Sequence, residues 1–127
     1  METTVAAPYN DTFHAYTFTH VRAEPIKASV LLLVNLDRSL HASVALPLHL
    51  RKSCSSVKAY HLTAAGNAIV SATEDAVLNA PNVALNGQVL VMSPGGELPT
   101  LDNQGLAGSC EASVRVQPLS AAIVLVY

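Results

Sequence analysis

Apolar and polar residues alternate along much of this chain, in short segments that are separated by turn-forming residues. From Phe13 to Val21 the alternation is regular, with Tyr16 and Phe18 on the side opposite Ala15 and Thr17. A period of two residues is typical of a β-strand that buries one face. The segment is therefore predicted to be a strand.

The next apolar segment, Ala28–Leu36, is hydrophobic at nearly every position. A run that is apolar on both faces predicts a central strand covered on both sides. After the polar turn Asp37–Ser39, the residues His41–Leu48 alternate again, so the two segments are predicted to form a hairpin. Because Pro47 has no backbone N–H to donate, the second strand is expected to end there or to lie at a sheet edge.

The rest of the chain predicts more short strands and no long helix. They are expected at Val57–Leu62, Val83–Leu85, Gln88–Met92, Ala112–Val116 and Ser120–Tyr127, with an extended segment at Leu98–Leu101. Asn86–Gly87 is a strong hairpin signal. The apolar last strand is expected to be central in its sheet. About eight strands with a turn every 8–12 residues predict an all-β fold, a two-sheet antiparallel β-sandwich.

Three segments are predicted to be loops: Ser53–Ser56, Ala64–Pro81 and Asp102–Ser109. Within the second, Ser71–Asp75 has the composition of a capped helical turn, but an irregular loop is favoured.

Composition fits one domain with a core of small aliphatic side chains. Half of the 127 residues are hydrophobic, only six are Phe or Tyr, and there is no Trp. The net charge is −2, and the seven Lys and Arg residues are scattered along the chain, so nucleic acid is not expected as a partner. The longest apolar run, Val30–Val34, is far shorter than the roughly 20 residues of a membrane-spanning helix.

The N-terminal residues do not resemble a signal peptide, because Thr3, Thr4 and Asn10 interrupt any apolar stretch. The chain is therefore expected to be either cytosolic or a piece of a longer secreted protein. Asn10–Thr12 is a sequon, which makes Asn10 a candidate glycosylation site. Cys54 and Cys110 lie 56 residues apart, and two alternatives stay open: a disulfide, or two buried free thiols.

The residue types of catalytic and metal sites are present, but their spacing predicts no such site and no cofactor. His14 and His20 lie about 20 Å apart along an extended strand, too far to share a metal ion. Glu74 and Asp75 are adjacent, so on a strand they would point to opposite faces. Glu97 is read as a turn residue, and Ser53–Ser56 lacks the base and acid that activate a nucleophile.

The order of several motifs resembles the C-terminal β-domain of heparanase-like endo-β-glucuronidases, and the plant-like members most closely. The segments that carry this resemblance are His14–His20, the aliphatic run Val30–Val34 followed by Asn35-Leu36, Tyr60–Thr63 (YHLT), Val83–Gly87 with Leu90 (LNG…L), Glu97–Leu101, and Gln117–Ser120 with its apolar tail. The resemblance covers residues 13–127, so residues 1–12 are interpreted as an N-terminal extension. Gly66–Pro81 is longer than in the plant-like proteins.

Several positions of these motifs are expected to have structural roles, and His61 is expected to form structural hydrogen bonds. They are Tyr60, His61, Asn86, Gly87, Pro99 and Pro118. In the family, two glutamates on a (β/α)₈ barrel catalyse glycoside hydrolysis. This chain contains no segments matching that barrel, so the roles cannot be transferred to Glu24, Glu74, Glu97 or Glu111.

The resemblance implies a non-catalytic domain that supports a (β/α)₈ barrel, which is its expected partner. Through that barrel the partner would be a glycosaminoglycan-like or glucuronide-bearing polysaccharide. The location would be secreted, lysosomal or vacuolar, or membrane-associated. Val44 and Val124 are the candidates for the barrel-facing surface.

The alternative is a freestanding carbohydrate-binding or interaction module. Its weakness is the small number of aromatic residues on which sugars could stack: Tyr9, Phe13, Tyr16, Phe18, Tyr60 and Tyr127. A third interpretation is a chain that kept the sandwich and lost the barrel, which would leave an apolar patch exposed.

Overall fold

The computed structural model describes residues 2–5, 12–23, 26–65, 82–91, 93–97 and 105–127. These residues form ten strands and one short helix. The elements are β1 (Glu2–Val5), β2 (Phe13–Ala23), β3 (Ile26–Asn35), β4 (Ala42–Val44), α1 (Leu48–Ser53), β5 (Val57–Ala65), β6 (Asn82–Leu85), β7 (Gln88–Leu90), β8 (Leu106–Gly108), β9 (Val114–Val116) and β10 (Ser120–Val126). The helix is too short to span a membrane, and no other helix lies in the described residues.

The strands form two antiparallel sheets, which confirms the predicted all-β sandwich. Seven strands of the large sheet follow the order β1-β2-β3-β10-β5-β6-β7, and β8 pairs with the first residues of β5. The small sheet consists of β4 and β9. The last strand, β10, lies between β3 and β5, as its apolar sequence predicted.

One face of the large sheet, the inner face, packs against the small sheet and α1 to form the core. Leu31, Leu33, Val116 and Val124 are fully buried. The rest of the core cluster consists of Ala15, Leu46, Leu50, Val57, Ala59, Ala122 and Val126. Burial of each large aliphatic side chain contributes about 1.5–3 kcal/mol, so this cluster is a major source of stability.

The predicted hairpin between Ala28–Leu36 and His41–Leu48 is wrong. Both edges of β3 are already occupied, by β2 on one side and by β10 on the other. The strand β4 therefore pairs with β9, 70 residues further on, with Ala42 opposite Val116.

The strand predicted over His41–Leu48 is also too long, because it ends at Val44 and is followed by α1. The helix begins just after Pro47, whose carbonyl accepts the N–H of Arg51 at 2.9 Å. Leu50 is its buried residue. Arg51 and Lys52 in its last turn interact favourably with the negative end of the helix dipole. The alternation of period two did not reveal a helix of only six residues.

The segment predicted as the loop Asp102–Ser109 contains β8, which pairs with β5 so that Ala107 lies opposite Lys58. Just beyond it, Cys110 forms a disulfide with Cys54, with 6.0 Å between the Cα atoms. The bond joins the end of α1 to the loop between β8 and β9. Of the two alternatives left open by the sequence, the structure has the disulfide.

Asn35, at the end of β3, is a buried polar residue that joins the two sheets. Its Nδ2 lies within hydrogen-bonding distance of the carbonyls of Leu40 (2.9 Å), Gln117 (3.1 Å) and Val116 (3.2 Å). Its Oδ1 accepts the N–H of Asp37 at 3.0 Å. The side chain therefore fixes both the turn after β3 and the exit from β9.

Candidate functional site

The second face of the large sheet, which we call the outer face, is also apolar. Residues that lie directly opposite each other on paired strands point to the same face of the sheet. The members of the outer face therefore follow from the strand pairing. They are Tyr16 and Phe18 of β2, Val30, Leu32 and Val34 of β3, Ala121, Ile123 and Leu125 of β10, Tyr60, Leu62 and Ala64 of β5, Val83 and Leu85 of β6, and Leu90 of β7.

The apolar side chains of the outer face form rows that cross the strands. One row runs from Tyr16 through Leu32 and Ile123 to Tyr60. Among the outer-face positions with described side chains, Lys58 is the single Lys, Arg, Asp or Glu, and it is exposed. The centre of this face is thus free of formal charge in the part of the chain that the structure describes.

Most outer-face side chains are half-buried, whereas the inner-face residues of the core cluster are buried. At one end of the surface lies a shallow cavity of about 460 Å³, bordered by Val34, Leu62 and Ala121. Leu36 and Val83 at its rim are 50% and 47% exposed. A large apolar surface with exposed aliphatic residues at a cavity is typical of an interaction site.

The prediction that Val44 and Val124 belong to an exposed docking surface is wrong. Val124 is fully buried in the core, and Val44 is half-buried and packs against the core cluster. Because β10 is apolar on both faces, its sequence did not show which face belongs to the core. Its neighbours Ile123 and Leu125 are the residues that lie on the outer face.

Tyr60, one of the predicted motif residues, lies on the outer face with its ring against Gly105. A Cβ built on Gly105 would lie 2.8 Å from Tyr60 Cζ, and Gly105 has φ +81°. Glycine is therefore required at this position both by the backbone and by the close ring. The contact leaves less of the Tyr60 ring for stacking against a sugar.

Three other motif residues, His61, Asn86 and Gly87, lie together at the β6–β7 hairpin. Asn86 and Gly87 have φ +47° and +84°, as a two-residue hairpin turn of type I′ requires. The hydrogen bonds between His61 and Asn86 involve the backbone N–H and C=O of His61. The His61 side chain lies on the inner face, where burial lowers the pKa of its imidazole.

Pro118 lies in the turn between β9 and β10 and precedes Leu119, which has φ +50°. The Leu119 N–H donates to the carbonyl of Asp37 at 3.1 Å, so this turn contacts the one after β3. Pro99, Asn10 and Gly66–Pro81 lie outside the described residues.

The three acidic side chains that the structure describes lie in three different loops. Asp37 accepts the N–H groups of Ser39 and Leu40, which lowers the pKa of its carboxyl group. Glu111 lies 3.6 Å from Arg51, and Glu97 follows the β7 hairpin. Within the described ranges no group of three His, Cys, Asp or Glu residues is placed to hold a metal ion.

The fold and the outer face define the chain as an all-β sandwich whose large sheet is also apolar on the face opposite the core. Comparison with known proteins adds no family, since no family model and no curated protein matches the chain.

Proposed function

We propose that this chain is the non-catalytic β-sandwich domain of a heparanase-like glycoside hydrolase, and that its outer face packs against a catalytic (β/α)₈ barrel. The observation that carries the proposal is the apolar outer face, which lies opposite the buried core cluster. The choice of the barrel as the occupant comes from the order of the sequence motifs that resemble the C-terminal domain of this family.

The size of the outer face follows from the spacing of its strands. It extends across six adjacent strands from β2 to β7, which at about 4.8 Å per strand gives a width of roughly 24 Å. Three rows of side chains along the strands add a length of roughly 14 Å. These two lengths give an area of roughly 340 Å², which is in the range of the largest apolar patch on a typical monomer, and such patches are often functional.

The distribution of polarity on the outer face also supports docking. Leu32 and Ile123 lie at the centre, whereas His14 lies at the end of one row and Lys58, next to Leu125, lies toward the end of another. An apolar centre with polar residues at its margin is the usual organisation of a protein interface. The barrel's helices would contribute the apolar side chains that fill the cavity beside Val83.

The proposed role of the domain is to stabilise the barrel by burial of this face. In this arrangement the catalytic carboxylates belong to the barrel, and the 127-residue chain by itself is expected to have no glycosidase activity. Turnover of a chromogenic glucuronide by the purified chain would contradict the proposal.

Binding to a barrel supplied in trans tests the docking directly. A heparanase-like barrel expressed without its own β-domain is expected to co-elute with the chain in gel filtration, whereas an unrelated (β/α)₈ barrel is not. The substitution Ile123→Asp should abolish co-elution, because a carboxylate would lose its hydration at the centre of the interface.

The matched control is Val89→Asp on β7. Val89 is 44% exposed and pairs with Ala84, whose side chain lies on the inner side of the sheet. This variant should bind the barrel as the unmodified chain does. Equal binding of both barrels, or equal loss with both variants, would exclude the outer face as a specific docking surface. Calorimetric binding of a glucuronide oligosaccharide by the chain alone would favour a carbohydrate-binding module instead.

A further inference from the structure

A cavity of about 320 Å³ lies beside the small sheet and is lined by four polar residues. They are His41, His61, Arg115 and Gln117. His61 comes from β5, where its position opposite Ala122 places it on the inner face. Arg115 comes from β9, opposite Ser43, while His41 and Gln117 directly flank the small sheet. Because Val114 and Val116 of β9 pack toward the core, Arg115 lies on the exposed side of the small sheet, and the cavity is a cleft open to solvent.

The side chains at this cavity are rich in hydrogen-bond donors. Two of the chain's five histidines and one of its four arginines line it, together with one amide and, among the described residues, no carboxylate. Within the described ranges Arg115 has no acidic partner, whereas Arg51 pairs with Glu111. A guanidinium group presents a planar set of N–H donors that matches the geometry of an oxyanion. Arg115 is the one residue of the four that carries a formal positive charge when His is counted as neutral.

A second cavity of about 170 Å³ adjoins the first, and both are lined by His61 and Arg115. Its other walls are mainly aliphatic or small, with Val57, Ala59 and Leu106 among them. The two cavities together provide a charged end and an apolar end. That combination suits a ligand with an anionic head and a short neutral body.

We propose that the cleft formed by His41, His61, Arg115 and Gln117 is a binding site for a small molecule that carries an oxyanion. The Arg115 guanidinium contacts the anion, His41, His61 and Gln117 supply further N–H donors, and the adjoining cavity accepts the neutral part of the ligand. The cleft lies on the inner side of the large sheet, so it is accessible whether or not the outer face is covered by a partner.

Titration of the ¹⁵N-labelled chain by NMR tests this site with defined probes. Acetate, benzoate, sulfate and inorganic phosphate are added separately, with chloride at the same ionic strength as the reference. We expect saturable shifts centred on His61, Arg115 and Gln117, with a Kd on the order of 1–10 mM for the simple anions. Benzoate should bind several-fold more tightly than acetate, because its ring can enter the adjoining cavity.

Charge-matched variants separate specific binding from general attraction. Arg115→Gln should weaken binding at least roughly tenfold, since it removes a charge-assisted hydrogen bond. Arg115→Lys, which keeps the charge but not the planar fork, should fall in between. Lys58→Gln loses the same charge from an exposed residue on the outer side of β5 and should leave binding unchanged.

Spectra of each variant in the absence of probe must show the dispersion of the folded chain. If Arg115→Gln fails this check, His41→Gln replaces it, because His41 is exposed and its substitution does not disturb the core. Shifts that rise linearly and match those in chloride, or equal weakening by the Arg115 and Lys58 variants, would overturn the proposal. Binding of sulfate and phosphate without acetate or benzoate would limit the site to tetrahedral anions and exclude the role of the adjoining cavity.

Discussion

The side chain of Asn86 bonds to the backbone of β5 on both sides of Tyr60, and one of its two partners is His61. Asn86 Oδ1 accepts the N–H of His61 at 2.7 Å, and Nδ2 donates to the carbonyl of Ala59 at 3.1 Å. The Asn86 N–H also donates to the His61 carbonyl at 2.8 Å. This edge of β5 pairs with β8 up to Ala59 and with β6 from Leu62 onwards. The amide therefore fills the gap where β5 has neither strand beside it.

This relationship predicts that Asn86→Gly destabilises the fold even though the turn is preserved. Glycine tolerates φ +47°, so the substitution removes the two side-chain hydrogen bonds without adding backbone strain. We expect a loss of about 1–3 kcal/mol in the free energy of unfolding, measured by urea denaturation. Gly87→Ala, which strains a residue at φ +84° with open space around it, is the comparison and should cost about 1 kcal/mol. A fully stable Asn86→Gly variant would show that the amide bridge contributes nothing.

Asn35→Leu is expected to destabilise the fold about as much as a large-to-small substitution in the core. The residue is 1% exposed, and the leucine would leave the carbonyls of Leu40, Val116 and Gln117 without their side-chain donor. A loss of roughly 2–4 kcal/mol follows from leaving buried acceptors unpaired. Thermal unfolding followed by circular dichroism measures it. Leu36→Asn, at the next and half-exposed position, should change stability little.

Reduction of the Cys54–Cys110 disulfide should lower stability without changing the fold. The bond joins two residues that are 56 positions apart in the sequence. For a loop of that length, the loss of chain entropy in the unfolded state gives a stabilisation of about 4 kcal/mol. Urea unfolding with and without a reducing agent measures the difference. The double variant Cys54→Ser/Cys110→Ser should behave like the reduced chain and should not respond to the reductant. Equal stability of the oxidised and reduced chains would contradict this prediction.

Stability should decrease as the pH falls below the unfolded-state pKa of His61. Burial lowers the pKa of this imidazole from its ordinary value of 6.5, so the unfolded chain binds the proton more readily than the folded chain. The contribution of neutral His61 to stability is therefore complete above pH 6.5 and is lost progressively toward the lowered folded-state pKa. The free energy of unfolding, measured between about pH 5 and pH 8, should fall less steeply in His61→Gln. Identical slopes in the two chains would rule out this contribution.

Local residue patterns were sufficient to predict much of the sheet. The alternation in β2 and the hairpin turn at Asn86–Gly87 depend on interactions between near neighbours, and the sequence shows these directly. The central position of β10 followed from its hydrophobicity alone, because an apolar strand must be covered on both edges and at least one face. The all-β sandwich could be predicted because short alternating segments and turn residues are both local features of the sequence.

The tertiary structure decided which strand pairs with which and which apolar face is the core. The sequence predicted that β4 would pair with β3, but β10 occupies that edge of β3 and β4 pairs with β9. Val124 and Ile123 are equally apolar, and only the position of the small sheet buries the first and leaves the second on the outer face. The cleft around Arg115 likewise joins residues from β5 and β9, which no local pattern connects. Hydrophobic periodicity fixes how a strand lies within a sheet, whereas the contacts between sheets depend on segments far apart in the chain.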